Sequence, residues 1–272
     1  MIEIDHKNKH LDELLSKDTS SIYFSCVLND SMKGQVWVDN LEKPSFAVVW
    51  NDYQKGFQLM GKPVKISEYN NLRLFFDTVI FTFLKEKGIN YFECGSDTAE
   101  LTKMLFEIFK DKNMESEQQK VFGLNHIICP NENGKIIDYE LEIVAIDDVF
   151  FLREFDNKEY VTNEIIDTWT SKEAYLKNGY GYAAVIGDCI ASRALVTCSY
   201  NQHDNIGVDT LEEYRKRGIS SKLVYYTLLE ARKRDRKNIW DCSEDNVASE
   251  RTALKVGFEL ERTKTICWFN IA

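Results

Sequence analysis

The sequence has no run that approaches the ~20 apolar residues required to cross a membrane. Its start lacks the basic segment followed by an apolar core that marks a secretory leader. It also lacks positive charge: the formal net charge is -10 at pH 7 and the pI is about 5.1. Nucleic acid and anionic membranes would repel such a protein, whereas a cationic, amine-bearing partner is compatible with it. These absences favour a cytoplasmic protein that binds neither nucleic acid nor membrane.

Cysteine pairs are also missing from the sequence. The chain has seven cysteines, an odd number, and none of them belongs to a Cys-x-x-Cys pair. Scattered single cysteines are typical of a reducing compartment in which thiols stay free and buried. The sequence therefore predicts neither a disulfide framework nor a metal site.

Length and composition predict a globular protein of two domains. A chain of 272 residues with 44% hydrophobic content can bury a sizeable core. The sequence turns polar between Asn113 and Lys135, and the segment from Cys129 to Gly134 is typical of a linker. Residues 1–135 hold one arginine among sixteen basic residues, whereas residues 136–272 hold nine among eighteen. We therefore predict a first domain at 1–135 and a second at 136–272.

Strand-like and helix-like segments alternate in the first half, which predicts an α/β domain. Strands are predicted at Ile22–Leu28, Gln35–Val38, Ser45–Trp50, Gly56–Met60 and Ile89–Cys94. Helices are predicted around Leu11–Leu15, from Leu72 to Leu84, where the apolar residues recur with helical spacing, and after a capping box formed by Asp97 and Glu100.

The second half follows a similar alternation. Strands are predicted at Tyr139–Ile146, Tyr182–Ile186, Ile190–Thr197, Asp204–Thr210, Ile239–Cys242 and Thr265–Ile271. Gly187-Asp188 is a two-residue turn of the type that joins antiparallel strands. Helices are predicted between residues 147 and 169, at 171–176, after Gly218, and at Val247–Val256.

The stretch from Asp209 to Ser220 has the features of a phosphate-binding loop. It reads as the end of a strand, a loop rich in basic side chains, and the start of a helix. A helix N-terminus favours negative charge because its first amides are unpaired and because the macrodipole is positive there. Gly218 would let the backbone approach a ligand closely, and Ser220 is small enough not to obstruct it. The loop therefore predicts a diphosphate site.

Two successive motifs in the chain resemble those of the GNAT superfamily of N-acetyltransferases. Arg215-x-x-Gly218-x-Ser220 is similar to the superfamily's acetyl-CoA diphosphate motif. A strand at Asn238–Cys242 and the pattern Asn246-x-x-Ser249-x-x-x-Ala253-x-Lys255-x-Gly257-Phe258 then resemble its second motif, at the expected spacing. Further segments are similar to the two-domain GNAT family that includes zwittermicin A resistance acetyltransferases: Gly34–Asp39, Trp169–Glu173, Gly179–Tyr182, Ile206–Val208, Tyr214-Arg215 and Trp240–Cys242.

The resemblance implies a fold and an activity. It implies a C-terminal GNAT fold, with a mixed, mostly antiparallel sheet flanked by helices, and an N-terminal α/β domain that is a degenerate copy of it. The implied activity is direct acetyl transfer from acetyl-CoA to the primary amine of a small molecule, an aminated antibiotic among the candidates. Two alternatives stay open: a protein or peptide N-acetyltransferase, and a non-catalytic acyl-CoA-binding sensor. A homodimer also stays open.

The resemblance further implies which residues hold the cofactor. Backbone groups of Val208, Asp209 and Thr210 would pair with the pantetheine arm, and the diphosphate would be held by Arg215, Lys216, Arg217, Gly218, Ile219 and Ser220. Asn246 and Ser249 would contact the arm from the next helix, although Asn246 is as well suited to cap that helix. The basic residues from Arg232 to Lys237 would either approach the outer phosphate or complement a helix C-terminus.

The catalytic residues are less well defined by the sequence. Asp204 lies eleven residues before Arg215, a separation that resembles that of the strand glutamate base in some GNAT enzymes, and His203 beside it titrates near ~6.5 when unperturbed. Asp241, Ser243 and Glu244 are alternatives. The tyrosine that protonates the leaving thiolate in many GNAT enzymes is replaced by Ala253. Cys242 is expected to be an inert core thiol, because GNAT transfer is direct.

Overall fold

The computed structural model describes residues 1–4, 21–96, 98–130 and 141–271. The chain forms two compact units, the first from Met1–Gln119 with Thr263–Ala272 and the second from Lys120–Arg262. The predicted domain boundary at 135, the helix expected around Leu11–Leu15 and the capping residue Asp97 lie outside the described residues.

The first unit is an α/β structure built on a mixed sheet. Its elements are β1 (Ile2–Ile4), α1 (Ile22–Leu28), β2 (Gly34–Val38), β3 (Phe46–Asn51), β4 (Gly56–Gly61), α2 (Tyr69–Phe75), a π-helical turn (Phe76–Ile80), α3 (Phe81–Glu86), β5 (Tyr91–Ser96), α4 (Ala99–Ile108) and the first part of β6 (Glu115–Leu124). Strands β1 to β4 pair in antiparallel order, and β5 runs parallel to β4. The closing strand is contributed by the chain's C-terminus, which pairs antiparallel with β5.

Aromatic side chains dominate the core of the first unit. Phe92 on β5 contacts the rings of Phe57, Phe76 and Phe109 with centroid separations of 5.5 Å. Trp50 is fully buried against Phe57 at 4.8 Å. Large rings bury much apolar surface per residue, so this small unit obtains a continuous core from few side chains.

The segment Ile22–Leu28 is a helix, and the strand predicted for it is wrong. All of its residues are buried. A short apolar run that is buried on every side has no polar face, so periodicity cannot distinguish a strand from a helix there.

Strand β6 was missed because it occupies the polar stretch that was interpreted as the approach to a linker. Its residues from Glu115 to Lys120 are exposed or half-buried, and only Val121, Phe122 and Gly123 are buried. A strand with one face in solvent carries few apolar residues, so its composition resembles that of a loop. At α4 the observed cap is Thr98, whose hydroxyl accepts a hydrogen bond from the amide of Leu101 at 3.2 Å.

The second unit is also a mixed, mostly antiparallel sheet flanked by helices, as the sequence predicted. Its elements are the end of β6, β7 (Leu141–Ala145), α5 (Asp148–Leu152), α6 (Glu159–Trp169), α7 (Lys172–Asn178), β8 (Gly181–Ile186), β9 (Cys189–Tyr200), β10 (His203–Thr210), α8 (Ile219–Lys233), β11 (Lys237–Ser243), α9 (Val247–Val256) and the start of β12 (Phe258–Asn270). The predicted hairpin is confirmed, since Ile186 pairs with Cys189 across Gly187-Asp188.

The two units follow the same path. In the second, the antiparallel strands β8, β9 and β10 are followed by α8, a strand parallel to β10, helix α9 and a closing strand. In the first, β2, β3 and β4 are followed by α2 and α3, a strand parallel to β4, helix α4 and β6. This repeated path agrees with the prediction that the N-terminal domain is a degenerate copy of the C-terminal one.

Two general properties concern the described residues only. Every cysteine lies among them, and no disulfide joins any two. Within the same ranges, no helix combines the length and the apolar character that a membrane crossing requires.

The end of α9 provides a test of the fold. Gly257 has φ of +107°, and a Cβ there would lie 1.9 Å from the carbonyl oxygen of His126. Gly187 has a smaller positive φ of +62° and no atom within 4 Å of a Cβ. We expect Gly187→Ala to lower the free energy of unfolding by about 1 kcal/mol through backbone strain alone. Gly257→Ala should cost about 2 kcal/mol more through overpacking. Urea unfolding checks this, and equal losses would show that the clash is relieved at no cost.

Candidate functional site

The second unit has a cleft between two neighbouring strands that separate along their length. β10 and β11 run parallel and pair only at His203, Asp204 and Asn205, opposite Lys237, Asn238 and Ile239. The register of β10 with β9 shifts between Asn205 and Ile206, which marks a bulge. Both strands continue beyond this point, β10 to Thr210 and β11 to Ser243. Backbone groups of β10 from Ile206 to Thr210 therefore face the cleft without a partner strand on that side.

The cleft leads to the N-terminus of α8. Gly218 caps this helix in the left-handed conformation, with φ of +79°, and Lys216 also has a positive φ of 62°. The first turn of α8 holds no acidic residue. Its first amides and the positive end of its dipole therefore favour an anion. Of the predicted residues here, Ser220 is half-buried, whereas the side chain of Ile219 packs in the core.

The basic side chains of the loop have specific contacts. The Nε of Arg215 donates a hydrogen bond to the carbonyl oxygen of Thr210 at 2.9 Å, which ties the loop to the end of β10. Arg217 donates to the carbonyl oxygen of Glu213 at 2.7 Å and lies over the ring of Tyr214. These contacts fix the course of the loop before the helix begins.

Lys255 of α9, a residue of the second motif, adds a cation beside this loop. Its Nζ lies 3.9 Å from the position that a Cβ on Gly218 would take. The Lys255 ammonium therefore lies beside the N-terminus of α8. Only the tertiary contact between the two helices brings it there, since the two residues are far apart in sequence.

Asn246 and Ser249 form the start of α9 beside β11. The Oδ1 of Asn246 accepts a hydrogen bond from the amide of Ser249 at 3.1 Å, so the predicted N-cap is confirmed. The hydroxyl of Ser249 accepts a hydrogen bond from the indole Nε1 of Trp240 at 2.9 Å. A contact of either residue with a cofactor stays a prediction.

Asp204 and His203, the residues predicted to be catalytic, lie at the opposite end of β10 from the loop. Asp204 is fully buried. Its Oδ2 accepts from the hydroxyl of Tyr180 at 2.6 Å and from the Nε of Arg236 at 3.0 Å. This network ties the start of β10 to β8 and to the turn before β11. Such enclosure is typical of a structural carboxylate, and the catalytic role stays a prediction.

The imidazole of His203 is half-buried beside the same network. Burial, followed by the positive charges of Lys237 and Arg236, lowers the pKa of His203 from its ordinary value. The side chain is therefore neutral at pH 7.

The alternative catalytic residues Asp241 and Ser243, which lie at the end of β11, are engaged in local contacts. Asp241 accepts a hydrogen bond from the side-chain amide of Asn205 at 2.7 Å, and Ser243 donates to Asp245 at 2.6 Å. Cys242 is buried, and burial raises the pKa of its thiol, as expected of an inert cysteine. Ala253 is fully buried in the core between the two helices.

The basic cluster from Arg232 to Lys237 lies at the C-terminal end of α8. A helix of this length spans about 22 Å, so the cluster is far from the amides that follow Gly218. Arg234 pairs with Glu230, and Arg236 pairs with Asp204. These contacts favour the interpretation of the cluster as a helix C-terminus.

The second unit thus contains a strand that diverges from its neighbour, a helix capped by glycine and a second helix motif. This combination can be compared with known protein families. Residues 12–267 match the family described as GNAT acetyltransferase. The chain belongs to this family. GNAT acetyltransferases transfer acyl groups and generally use acetyl-CoA. Among curated proteins, nothing matches this chain.

Solved structures show that the GNAT fold covers the whole chain. A GCN5-related N-acetyltransferase-like protein from Streptococcus suis 89/1591 is 18% identical, with a TM-score of 0.65 over 96% of this chain and 97% of that chain. A tandem GNAT protein from the clavulanic acid biosynthesis pathway is 10% identical, with a TM-score of 0.61 over 100% and 98%. A GCN5-related N-acetyltransferase from Kribbella flavida is 12% identical, with a TM-score of 0.57 over 89% and 91%. At these identities the likeness shows the fold alone.

The first unit of this GNAT protein differs at the place that corresponds to the loop. After β4 the chain forms a short turn, and α2 begins behind Glu68. The Glu68 carboxylate accepts a hydrogen bond from the amide of Lys65 at 3.1 Å and so satisfies a donor of the turn itself. An acidic side chain at a helix start repels a phosphate. Of the two described helix starts, that of α8 is therefore the more favourable for an anion.

The Asp204 network gives a stability prediction. Asp204→Asn removes the charge that faces the Arg236 guanidinium, so we expect the free energy of unfolding to fall by about 3 kcal/mol. Asp188→Asn, in an exposed turn, is the matched control and should have no effect. Chemical denaturation measures both. A variant of Asp204 that keeps full stability but loses its transferase activity would contradict the structural role and support the catalytic one.

Proposed function

We propose that the second unit binds acetyl-CoA and transfers its acetyl group to the primary amine of a small molecule, in the cytoplasm. The observation that carries this proposal is the separation of β10 from β11 after Asn205, which exposes the edge of β10 along a path that ends at Gly218. The proposal is consistent with the family to which the chain belongs.

The residues of the cleft fit the chemistry of coenzyme A. The pantetheine arm contains amide groups, and the free edge of β10 at Val208, Asp209 and Thr210 offers backbone groups that can pair with them as a strand would. The diphosphate would lie at the α8 N-terminus, on the amides that begin at Ile219. Lys255 would add a positive charge at the same place. Asn246 and Ser249, next to β11, would border the arm on its other side.

The acetyl thioester supplies the activated acyl group, and the chain supplies position and charge. In this proposal the arm would run back from Gly218 along β10, and its thioester end would lie near the bulge between Asn205 and Ile206, where the strands meet. Ala253 has no hydroxyl and is buried, so the proton that the leaving thiolate takes up does not come from that position. A small cationic amine suits a protein whose net charge is -10.

An acetyl-CoA titration followed by a turnover assay over a panel of amines tests the function. Because Cys129 is exposed, thiol reagents would give a background, and chromatographic detection of coenzyme A and of the acetylated amine is preferable. We expect binding, and turnover with small alkylamines. Turnover with peptides only would support peptide acetylation, and binding without turnover on any amine would support the sensor.

Gly218→Trp tests the cofactor site itself. The side chain would fill the loop in front of α8, and we expect acetyl-CoA affinity to fall at least about thirtyfold, the equivalent of ~2 kcal/mol. Gly187→Trp is the matched control because it imposes a bulky residue at a similar positive φ in an open turn. Unchanged affinity in Gly218→Trp would place the diphosphate elsewhere.

Lys255→Gln tests the cation contributed by α9. A solvent-exposed charge near the diphosphate is worth up to ~1 kcal/mol, so we expect acetyl-CoA affinity to fall about fivefold, and less at high salt. Arg251→Gln removes a charge from an exposed position on the same helix and is the control. Equal losses in the two variants would indicate a general effect of charge rather than a contact.

A further inference from the structure

The second unit has a cavity that lies apart from the cleft between β10 and β11. Its walls come from the turn after β7, the end of α7, the start of β8 and the C-terminal end of α8. β9 separates β8 from β10 in the sheet, and α8 spans about 22 Å between this cavity and the loop at Gly218. The volume is about 210 Å³. This is below the ~300 Å³ at which pockets for drug-sized ligands begin, so a ligand here would be small.

Carboxylates outnumber cations along the wall of this cavity. Asp147, Asp148 and Glu230 line it together with one arginine, Arg234. Glu230 is neutralised, because it accepts hydrogen bonds from Lys233 at 3.1 Å and from Arg234 at 3.0 Å. Asp147 and Asp148 are exposed, and neither forms an ion pair with any residue that the structure describes. The cavity therefore has an excess of negative charge that favours a cation.

The Asp147 carboxylate is oriented by the turn that starts α5. Its Oδ1 accepts hydrogen bonds from the amides of Val149 at 2.9 Å and Phe150 at 3.1 Å. Both bonds fall on one oxygen, so the carboxylate is held in place while Oδ2 can accept from a ligand.

An aromatic side chain stands beside this carboxylate. Tyr182 is half-buried, and its ring contacts the ring of Tyr226 with a centroid separation of 5.8 Å. Burial, followed by the charge of Glu230, raises the pKa of Tyr182, and Asp147 acts in the same direction. The phenol is therefore close to both carboxylates. An aromatic ring next to carboxylates is a favourable environment for an organic cation.

The same wall already binds a guanidinium in this manner. The Nε of Arg234 donates to Glu230 at 3.0 Å, and its guanidinium carbon lies 4.8 Å from the ring centre of Tyr180. Asp147 and Tyr182 provide a second carboxylate and a second ring a few residues away. Within the described part of the chain, no cation is bound to either of them.

A buried hydroxyl beside the cavity also lacks a partner. Tyr175 is fully buried, and its hydroxyl has no hydrogen-bond partner among the described residues. Its ring lies against Gly179 of the cavity wall, where a Cβ would be 2.4 Å from the ring. Burial raises the pKa of Tyr175, and the charges of Arg234 and Asp147 act on the same phenol. Buried hydroxyls are usually partnered by the protein or by a bound molecule, so this oxygen independently indicates a polar ligand.

We propose that this cavity is a further binding site, for a small organic cation that carries a guanidinium or ammonium group. The cation would donate to Oδ2 of Asp147 and lie against the ring of Tyr182, and Asp148 would add negative charge. The C-terminal end of the α8 dipole acts in the same sense. The site lies outside the proposed cofactor cleft, so it goes beyond the proposed function and does not depend on it.

Butylguanidinium and butylurea test the preference for a cation. A guanidinium stays protonated and is therefore not an acetyl acceptor, whereas butylurea has nearly the same shape but is neutral. Calorimetry without acetyl-CoA should show millimolar binding of butylguanidinium that weakens as salt is added. Butylurea should bind at least about tenfold more weakly, because it forms no ion pair with the carboxylates.

Variants of the wall test the location. Asp147→Asn removes the charge but keeps an oxygen that caps α5, so we expect butylguanidinium affinity to fall about fivefold. Ala145→Lys places a tethered ammonium at the exposed rim of the cavity and should lower the affinity by at least the same factor. Asp188→Asn, in the exposed turn at the other end of β8, is the matched control and should bind as wild type does.

Several outcomes would overturn the proposal. They include no binding of butylguanidinium to the wild-type protein at millimolar concentrations, and equal affinities for butylguanidinium and butylurea. A loss of butylguanidinium affinity in Gly218→Trp would place the cation in the cofactor cleft instead. If Asp147→Asn does not fold, Asp148→Asn removes the other unpaired charge, and unchanged affinity in that variant would contradict the site. A wild-type enzyme that acetylates no amine would refute only the proposed function.

Discussion

The site of this protein depends on the way in which two parallel strands are joined at one end and separated at the other. β10 and β11 pair only at their starts, where the Asp204 carboxylate is bound by Arg236 and Tyr180. A buried charge with these partners is costly to disrupt, so the joined end is firm. The bulge after Asn205 then turns the backbone of β10 away from β11. Unpaired backbone groups follow from this geometry, and a cofactor with amide groups can satisfy them.

The two units show that a fold does not by itself create a site. Both follow the path of antiparallel strands, helix, parallel strand, helix and closing strand. Within the described residues of the first unit, β5 ends at Ser96, which is paired with Leu59 of β4. Glu68 also occupies the start of the helix that corresponds to α8. The described part of the first unit thus has the architecture without the glycine cap or the favourable charge.

Two carboxylates of the second unit, Asp204 and Glu164, are bound to arginines. Asp204 is enclosed by Arg236 and Tyr180 and stabilises the start of the sheet. Glu164 of α6 accepts a hydrogen bond from Arg193 of β9 at 3.0 Å and joins the helix to the sheet. Each of these ion pairs joins parts of the chain that are distant in sequence.

Much of the fold was predictable from local patterns. The loop before α8, the hairpin at Gly187-Asp188 and the helix at Val247–Val256 each have turn, cap or periodicity signals within a few residues. The helix Ile22–Leu28 was not predicted because it is buried on all sides, and the strand Glu115–Leu124 was not predicted because most of its residues are partly exposed. Both patterns of burial depend on neighbours that are distant in sequence.

For the candidate site, the sequence by itself determined the family resemblance and the predicted diphosphate loop around Gly218, because both are carried by contiguous motifs. The tertiary structure decided the surroundings of the charges. It enclosed Asp204 with Arg236, placed Lys255 at Gly218, and put Glu164 of α6 beside Gly207 of β10. The members of each pair are separated by at least 32 residues in the chain, so no local pattern could reveal them. Burial and charge pairing are properties of the assembled sheet and helices, and only the folded chain defines them.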